Sequence, residues 1–421
     1  MKLLLSTQYF VYFAVRGVIL PFFNLFFHHL GFSGFQIGVL SSIQTGAVMI
    51  FPVLWAMAAD RFNARKPIFV ICTLMASLSW SLLFFTKEFL PILSILALYS
   101  VFYAPIIAFL EAFAMDILGK DKKKYGKSRV WGTISFIGVS LILGKVLSVY
   151  STSIVVPLIF SGMVIQSAFS FKMPDRRKEH QSSIKLSAPA IKDSAEEINT
   201  ATDNLIKDGT FTVQRWEDFR AFFSIETSLF LVAAFLMLVS HGAYYGFFSI
   251  YLESLGFGTG FIGLAWALAS ISEIAVMIYS DRIFSKVNLK TVLVISCMAA
   301  ALRWLLLFTT APVKTDSIFS LIPAASSVIF ISQLLHAFTY GSFHIASILA
   351  IDKLSPEGTT FGQAVNNAVT YGAGMMTGFF LSGIFYDDFK EYIFLGSSFA
   401  ALISGIMIVY LNFDKADNIK A

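Results

Sequence analysis

Leu30-Gly31-Phe32-Ser33-Gly34-Phe35-Gln36-Ile37-Gly38 returns later in the chain as Leu255-Gly256-Phe257-Gly258-Thr259-Gly260-Phe261-Ile262-Gly263. Five of the nine positions are identical, with no gap and an offset of 225 residues. Each copy lies between two long apolar runs, so the match is one of turns, not of interchangeable Leu and Ala. Three further matches follow in the same order. Asp60-Arg61 returns as Asp281-Arg282, the Val70-Ile71, Ala76, Leu78 and Trp80 pattern as Val294-Ile295, Ala300, Leu302 and Trp304, and Asp116, Leu118 and Gly126 as Asp352, Leu354 and Gly362. Loop motifs repeated in one order describe a chain built from two parallel halves. A repeat of this kind places a central site between bodies that rock about it.

The solvent of this fold is lipid. Of 421 residues, 57% are hydrophobic and 14% charged, and the mean hydropathy of +0.74 exceeds what a soluble chain carries. A soluble multidomain enzyme is excluded. Apolar stretches of about 20 residues predict about twelve helices, near 6–29, 35–59, 67–86, 90–117, 129–149, 153–172, 223–251, 260–280, 290–310, 321–350, 361–385 and 392–412. The runs are continuously apolar and do not alternate in ten-residue segments, so a membrane β-barrel is excluded as well. The expected fold is an all-α membrane protein with two pseudo-symmetric six-helix bundles. Arg16 interrupts the first run and no small-residue cleavage site follows it, so the segment reads as a retained helix. Cys72 and Cys297 each sit in an apolar run, far apart, and read as packing residues.

Charge placement sets the expected orientation. With both termini in the cytoplasm, 25 of the 31 Lys and Arg fall on that side, only Lys87, Lys314 and Lys390 on the other, and Arg16, Lys145 and Arg303 within the membrane. A multi-pass protein of a bacterial-type inner membrane follows. Lys122-Lys123-Lys124 is then a topological signal and needs no nucleic acid. Residues 119–128 end like a phosphate-binding loop, but Asp121 stands where the first Gly is required and no strand precedes it. Residues 173–221 are polar and poor in aromatics, which predicts a cytoplasmic linker between bundles at 1–172 and 222–421.

Several motifs carry a family resemblance. Asp60-Arg61-Phe62-Asn63-Ala64-Arg65-Lys66 resembles the signature between the second and third helices of the major facilitator superfamily, with Ala56 where a Gly is usual and Asn63-Ala64 where one Gly is usual. Tyr125-Gly126-Lys127-Ser128-Arg129-Val130-Trp131-Gly132, Glu273 nine residues before Arg282, Ala301-Leu302-Arg303-Trp304, and Leu335-His336-Ala337-Phe338-Thr339 with His344 are similar to the branch of the lactose and phenylpropionate permeases, nearest the latter type. The resemblance implies a secondary transporter working by alternating access, with Asp60, Arg61, Asp281 and Arg282 as cytoplasmic gate residues.

The membrane interior holds the chemistry. A charge at mid-membrane depth costs about 2.5 to 3.5 kcal/mol on insertion scales, so each one must face a cavity or a partner. Arg16, Glu111, Arg129, Glu273, Arg303, His336 and His344 meet this condition as a set. Glu111 and Arg129 lie 18 residues apart across one turn, so antiparallel neighbouring helices can bring them together. The lactose permease has a substrate-binding pair at this spacing, and its sugar-stacking Trp corresponds to Phe136. The expected solute contacts are therefore Glu111, Arg129, Arg16, Phe136 and His336. Thr339 occupies the position where the lactose permease carries its proton on a Glu, so coupling needs another group. Carboxylates that lose their water hold a proton more readily, which makes Glu273 the first choice, with Arg303 beside it and His336 or His344 as competing carriers.

The expected cargo is a small organic solute, an aromatic acid, a sugar or a nucleoside, moved with a proton by a monomer in the lipid bilayer. No cofactor beyond the proton gradient and no metal are expected. An exporter or uniporter of the same fold is the alternative. A membrane-embedded transferase using His336 or His344 would lack a nucleophile and base constellation.

Overall fold

The computed structural model describes residues 1–119, 125–175, 222–311, 318–354 and 359–413. Among these residues, twelve helices are long and apolar enough to cross a membrane. They are α1 (Lys2–His29), α2 (Gly34–Arg61), α3 (Arg65–Phe85), α4 (Phe89–Leu118), α5 (Tyr125–Val146) and α6 (Thr152–Ser170), then α7 (Ile225–Ser254), α8 (Thr259–Ser280), α9 (Leu289–Phe308), α10 (Ala324–Leu354), α11 (Gly362–Phe389) and α12 (Tyr392–Tyr410). All twelve expected helices are present, most ends lying within a few residues of those read from hydropathy. The expected linker lies almost wholly outside the described residues.

The repeated motif folds the same way twice. Gly31 and Gly256 both take φ 85°. Behind each, a backbone N–H reaches back to close the preceding helix, Phe32 to the carbonyl of Phe27 and Phe257 to that of Leu252, both at 3.1 Å. This is a left-handed glycine termination, where a β-carbon would be strained. Ser33 then starts α2 with a capping box closed by Gln36.

In the first half α1 packs on α5 and α6, and α3 on α4 and α6. In the second, α7 packs on α11 and α12, and α9 on α12. The halves meet chiefly through two crossings, α2 with α11 and α5 with α8. Both are built on backbone approach. A β-carbon on Gly38 would stand 2.8 Å from Cα of Gly383 and from the carbonyl oxygen of Phe379, and one on Gly263 would stand 2.2 Å from the carbonyl oxygen of Ser140. Small residues of this kind let membrane helices close on one another.

Polar contacts secure the same end. The backbone N–H of Gly34 meets both carboxylate oxygens of Asp387 at 3.0 and 2.8 Å, and the Thr259 hydroxyl donates to the Gly144 carbonyl at 2.8 Å. Nδ2 of Asn24 donates to the Gly246 carbonyl at 2.9 Å, and Nε2 of His29 lies 2.8 Å from a carboxylate oxygen of Glu253. The bundle is thus closed at the end carrying the 30–33 and 255–258 turns. None of these four contacts lies towards the opposite, open end, where Asp60, Arg61 and Arg282 are exposed.

If the crossings hold that end shut, Gly38→Val should push α2 off α11 at a cost of about 1–3 kcal/mol. Ser140, fully buried beside the second crossing, should then become reactive to maleimide as Ser140→Cys in the Gly38→Val background. Unchanged labelling and thermal stability would show that the crossings do not set the closed state.

Candidate functional site

The polar centre of the second half comes from α7, α8, α9 and α10. Arg303 of α9 is fully buried. Its Nη1 donates to Nδ1 of His336 at 2.5 Å and reaches the Thr339 hydroxyl at 3.3 Å, and its Nη2 donates to Oε1 of Gln333 at 3.2 Å. The guanidinium lies 4.1 Å from the ring centre of Tyr244 and 4.5 Å from that of Trp304, so π faces replace part of its water. Across the imidazole, Nε2 of His336 stands 2.7 Å from Oε1 of Glu273. An arginine can only donate, so Nδ1 of His336 accepts and Nε2 carries the hydrogen that points at the carboxylate. The result is a line of cation, neutral imidazole and anion, with Glu273 as its one member reaching accessible space, at 20% side-chain exposure against 5% for His336.

α10 turns π-helical over Ala337–Ser342, and α11 does so over Ala368–Gly374. An ideal α-helix would set His336 and His344 about 80° apart. The π turn takes up one extra residue, worth about 100° of rotation, and brings the two back towards one face. Tyr340 stacks on His336 with ring centres 5.6 Å apart and meets Tyr371 at 5.9 Å, while Nδ1 of His344 is 2.7 Å from the Tyr371 hydroxyl. The two histidines therefore flank one aromatic cluster. Tyr244 and Tyr245 of α7 complete this centre with Tyr340 and Gln333, two residues that the sequence reading did not assign. The π turn that holds Tyr340 and the register of α10 against α7 and α9 carry no one-dimensional signal.

The first half presents a looser arrangement. The guanidinium of Arg129 lies 3.8 Å from the ring centre of Phe13 and 5.7 Å from that of Tyr9. Glu111 is exposed and within electrostatic reach of Arg129, yet no salt bridge joins them among the described residues. The expected pair is thus adjacent but not in contact, because the Phe13 face holds the guanidinium. Phe136 is buried in the apolar core, and its backbone faces Gly17 where α1 crosses α5. Arg16 is half-buried and makes no hydrogen bond or ion pair among the described residues.

At the open end Asp60 and Arg61 are exposed, as is Arg282. The side chain of Asp281 lies outside the described set. Asn63 takes φ 45°, supplying the left-handed turn for which the signature uses glycine. Nη1 of Arg65, in the same motif, bonds Oδ2 of Asp116 at 2.6 Å and ties the α2 to α3 turn to the end of α4. That ion pair was not anticipated.

The sequence profile of the MFS_1 like family matches residues 3–395. The chain belongs to that family. It is 22% identical over 403 residues to the probable 3-phenylpropionic acid transporter of Escherichia coli strain K12, covering 94% of each chain. Its fold is similar to that of a variant of the nucleoside transporter NupG, with a TM-score of 0.79, 18% identity and coverage of 97% of this chain and 99% of that one. It is also similar to the xylose transporter XylE from E. coli, with a TM-score of 0.65, 10% identity and coverage of 99% and 98%. As a member of this family the chain is a multi-pass plasma-membrane transporter of small molecules and not an enzyme.

The buried line generates a stability prediction. Arg303→Gln should leave Glu273 without its cation and cost on the order of 3–5 kcal/mol, while Arg303→Gln with Glu273→Gln should recover much of it. Thermal unfolding of the purified variants measures this. Equal losses in the single and double variants would mean that the two charges do not depend on each other.

Proposed function

We propose that the protein is a proton-coupled secondary transporter that moves a small organic solute across the plasma membrane by alternating access, as a monomer and without a cofactor beyond the proton gradient. The observation that carries this reading is the line of Arg303, His336 and Glu273. Glu273 is the outermost member, and its charge is balanced through one imidazole by a buried guanidinium. Adding a proton to Glu273 leaves the charge of Arg303 uncompensated. That imbalance favours either an anion or a rearrangement of α8 against α9 and α10, and so links proton binding to solute binding or to conformation. The competing carriers, His336 and His344, belong to the same cluster.

The asymmetry of Lys and Arg supports a cytoplasmic location for both termini. On that orientation the closed end faces outward and the conformation is inward-facing. The bundles at 1–172 and 222–421 then act as the rocking bodies, joined by the linker at 173–221. In this reading Asp60, Arg61, Asp281 and Arg282, in the equivalent stretches after the second and eighth spans, form the cytoplasmic gate.

Two measurements test the reading. In Glu273→Gln, accumulation driven by a pH gradient should disappear while exchange of solute between the two sides survives, since exchange need not release the proton. Retained pH-driven accumulation would reassign the carrier to His336 or His344. For topology, Ser285→Cys and Lys127→Cys, both exposed at the open end, should resist a membrane-impermeant maleimide in intact cells, and Ser151→Cys at the closed end should react. The reverse pattern would invert the orientation.

A further inference from the structure

Glu273 has a second histidine on the side facing the open end. α8 and α10 both run from the closed end to the open end, and they meet at Gly341. A β-carbon there would stand 3.9 Å from Cγ of Glu273 and 3.7 Å from Cγ1 of Val276. His344 follows Gly341 by three residues, so it lies on about the same face of α10, one turn nearer the open end. Glu273 and His344 are within electrostatic reach of each other, and no ion pair joins them among the described residues.

Each keeps one atom in reserve. Oε1 of Glu273 stands 2.7 Å from Nε2 of His336, while its Oε2 makes no hydrogen bond among the described residues. Nδ1 of His344 is 2.7 Å from the Tyr371 hydroxyl, and its Nε2 is likewise unbonded among them. Both side chains are half-buried.

The other groups around the pair are Arg303 of α9, Arg129 of α5, His336 and Tyr340 of α10, and Tyr371 of α11. None of them is suited to take a proton from Glu273 near neutral pH. Arginines stay protonated, and phenols keep their own protons. His336 accepts from Arg303 at Nδ1 and carries its hydrogen at Nε2, so both its ring nitrogens are in use. Among these groups, His344 is the one base with a ring nitrogen to spare.

We propose that His344 relays the proton of Glu273 to the open end, with Tyr371 as the residue that positions its ring. This inference rests on the reading of Glu273 as the carrier and adds the way its proton leaves. In the tautomer required, Nδ1–H donates to the phenol oxygen of Tyr371 and Nε2 presents a lone pair. The O–H bond of the protonated carboxyl breaks, and an N–H bond forms at Nε2 through intervening water. Glu273 is left anionic beside His336. The imidazolium then gives its Nε2 proton to water at the open end and returns to its starting tautomer. A relay differs in kind from a carrier, since the carrier sets how many protons move and the relay only how fast they exchange.

The test needs no solute. Purified full-length protein is taken through a rapid rise in pH while infrared spectroscopy follows loss of the carboxylic acid C=O band of Glu273, identified by its absence in Glu273→Gln. His344→Gln should slow that loss on the order of a hundredfold. Free imidazole in the buffer should restore much of the rate, because a small base entering from the open end replaces the missing ring. Tyr371→Phe keeps the imidazole and removes its anchor, so it should slow the loss several-fold.

An unchanged rate in His344→Gln, or a slowed rate that imidazole does not raise, would overturn the relay. Should His344→Gln not fold, an unchanged rate in Tyr371→Phe overturns it instead. The carrier reading fails separately and visibly: Glu273→Gln then removes no band.

Discussion

The two glycine crossings are the constraint from which the rest of the architecture follows. α2 meets α11 at Gly38 and Gly383, and α5 meets α8 at Gly144 and Gly263, at separations that leave no room for a β-carbon. Lipid offers apolar side chains no gain from leaving it, so helices in a membrane associate through close packing and hydrogen bonding. Both are available where backbones touch. Two diagonal pairs therefore pin the halves together at one end. The repeat explains the diagonal symmetry, since Gly38 and Gly263 are the same position of the duplicated motif.

Duplication preserved the frame and let the chemistry diverge. Trp80 and Trp304 are equivalent and play one role, each fully buried with its Nε1 donating to a neighbouring helix, to the Val156 carbonyl in one half and the Ser240 hydroxyl in the other. The residues just before them differ, Ser79 in the first half and Arg303 in the second. At the same offsets as the surrounding matches, Val48 stands for Glu273, Ser100 for His336, and Arg16 for His241. The line of Arg303, His336 and Glu273 therefore exists in only one half, and the unpaired Arg16 in the other. A symmetrical scaffold thus holds the buried line of Arg303, His336 and Glu273 on one side and an arginine without a counter-ion on the other.

Arg303 shows how such a charge is tolerated. Its donors reach an imidazole, a hydroxyl and an amide oxygen, and aromatic rings lie close to the guanidinium, while its Nε alone is without a partner. Each contact returns part of the hydration lost to burial. Arg129 relies on the Phe13 face for the same purpose. Cation and ring contacts hold both arginines in place of direct carboxylate bridges, which leaves Glu273 and Glu111 at the accessible edge.

Twelve spans, two parallel halves and the set of buried charges could be read from residue order, because hydropathy over about 20 residues and repeated turns are local properties of the chain. Glu273, His336 and Arg303 could be nominated in the same way, since a charge inside an apolar run needs a reason to be there. Their joining could not. The contact of His336 with both Arg303 and Glu273 spans three helices, and the π turn that realigns His336 with His344 leaves no mark in an apolar sequence. Glu111 and Arg129 show the opposite error. Their spacing promised a bridge, and the ring of Phe13, 116 residues before Arg129 in the chain, holds the guanidinium out of contact with the carboxylate. Which end is closed, and which cation is left unpaired, depend on how helices distant in sequence settle against one another, a matter of side-chain shape that residue order does not encode locally.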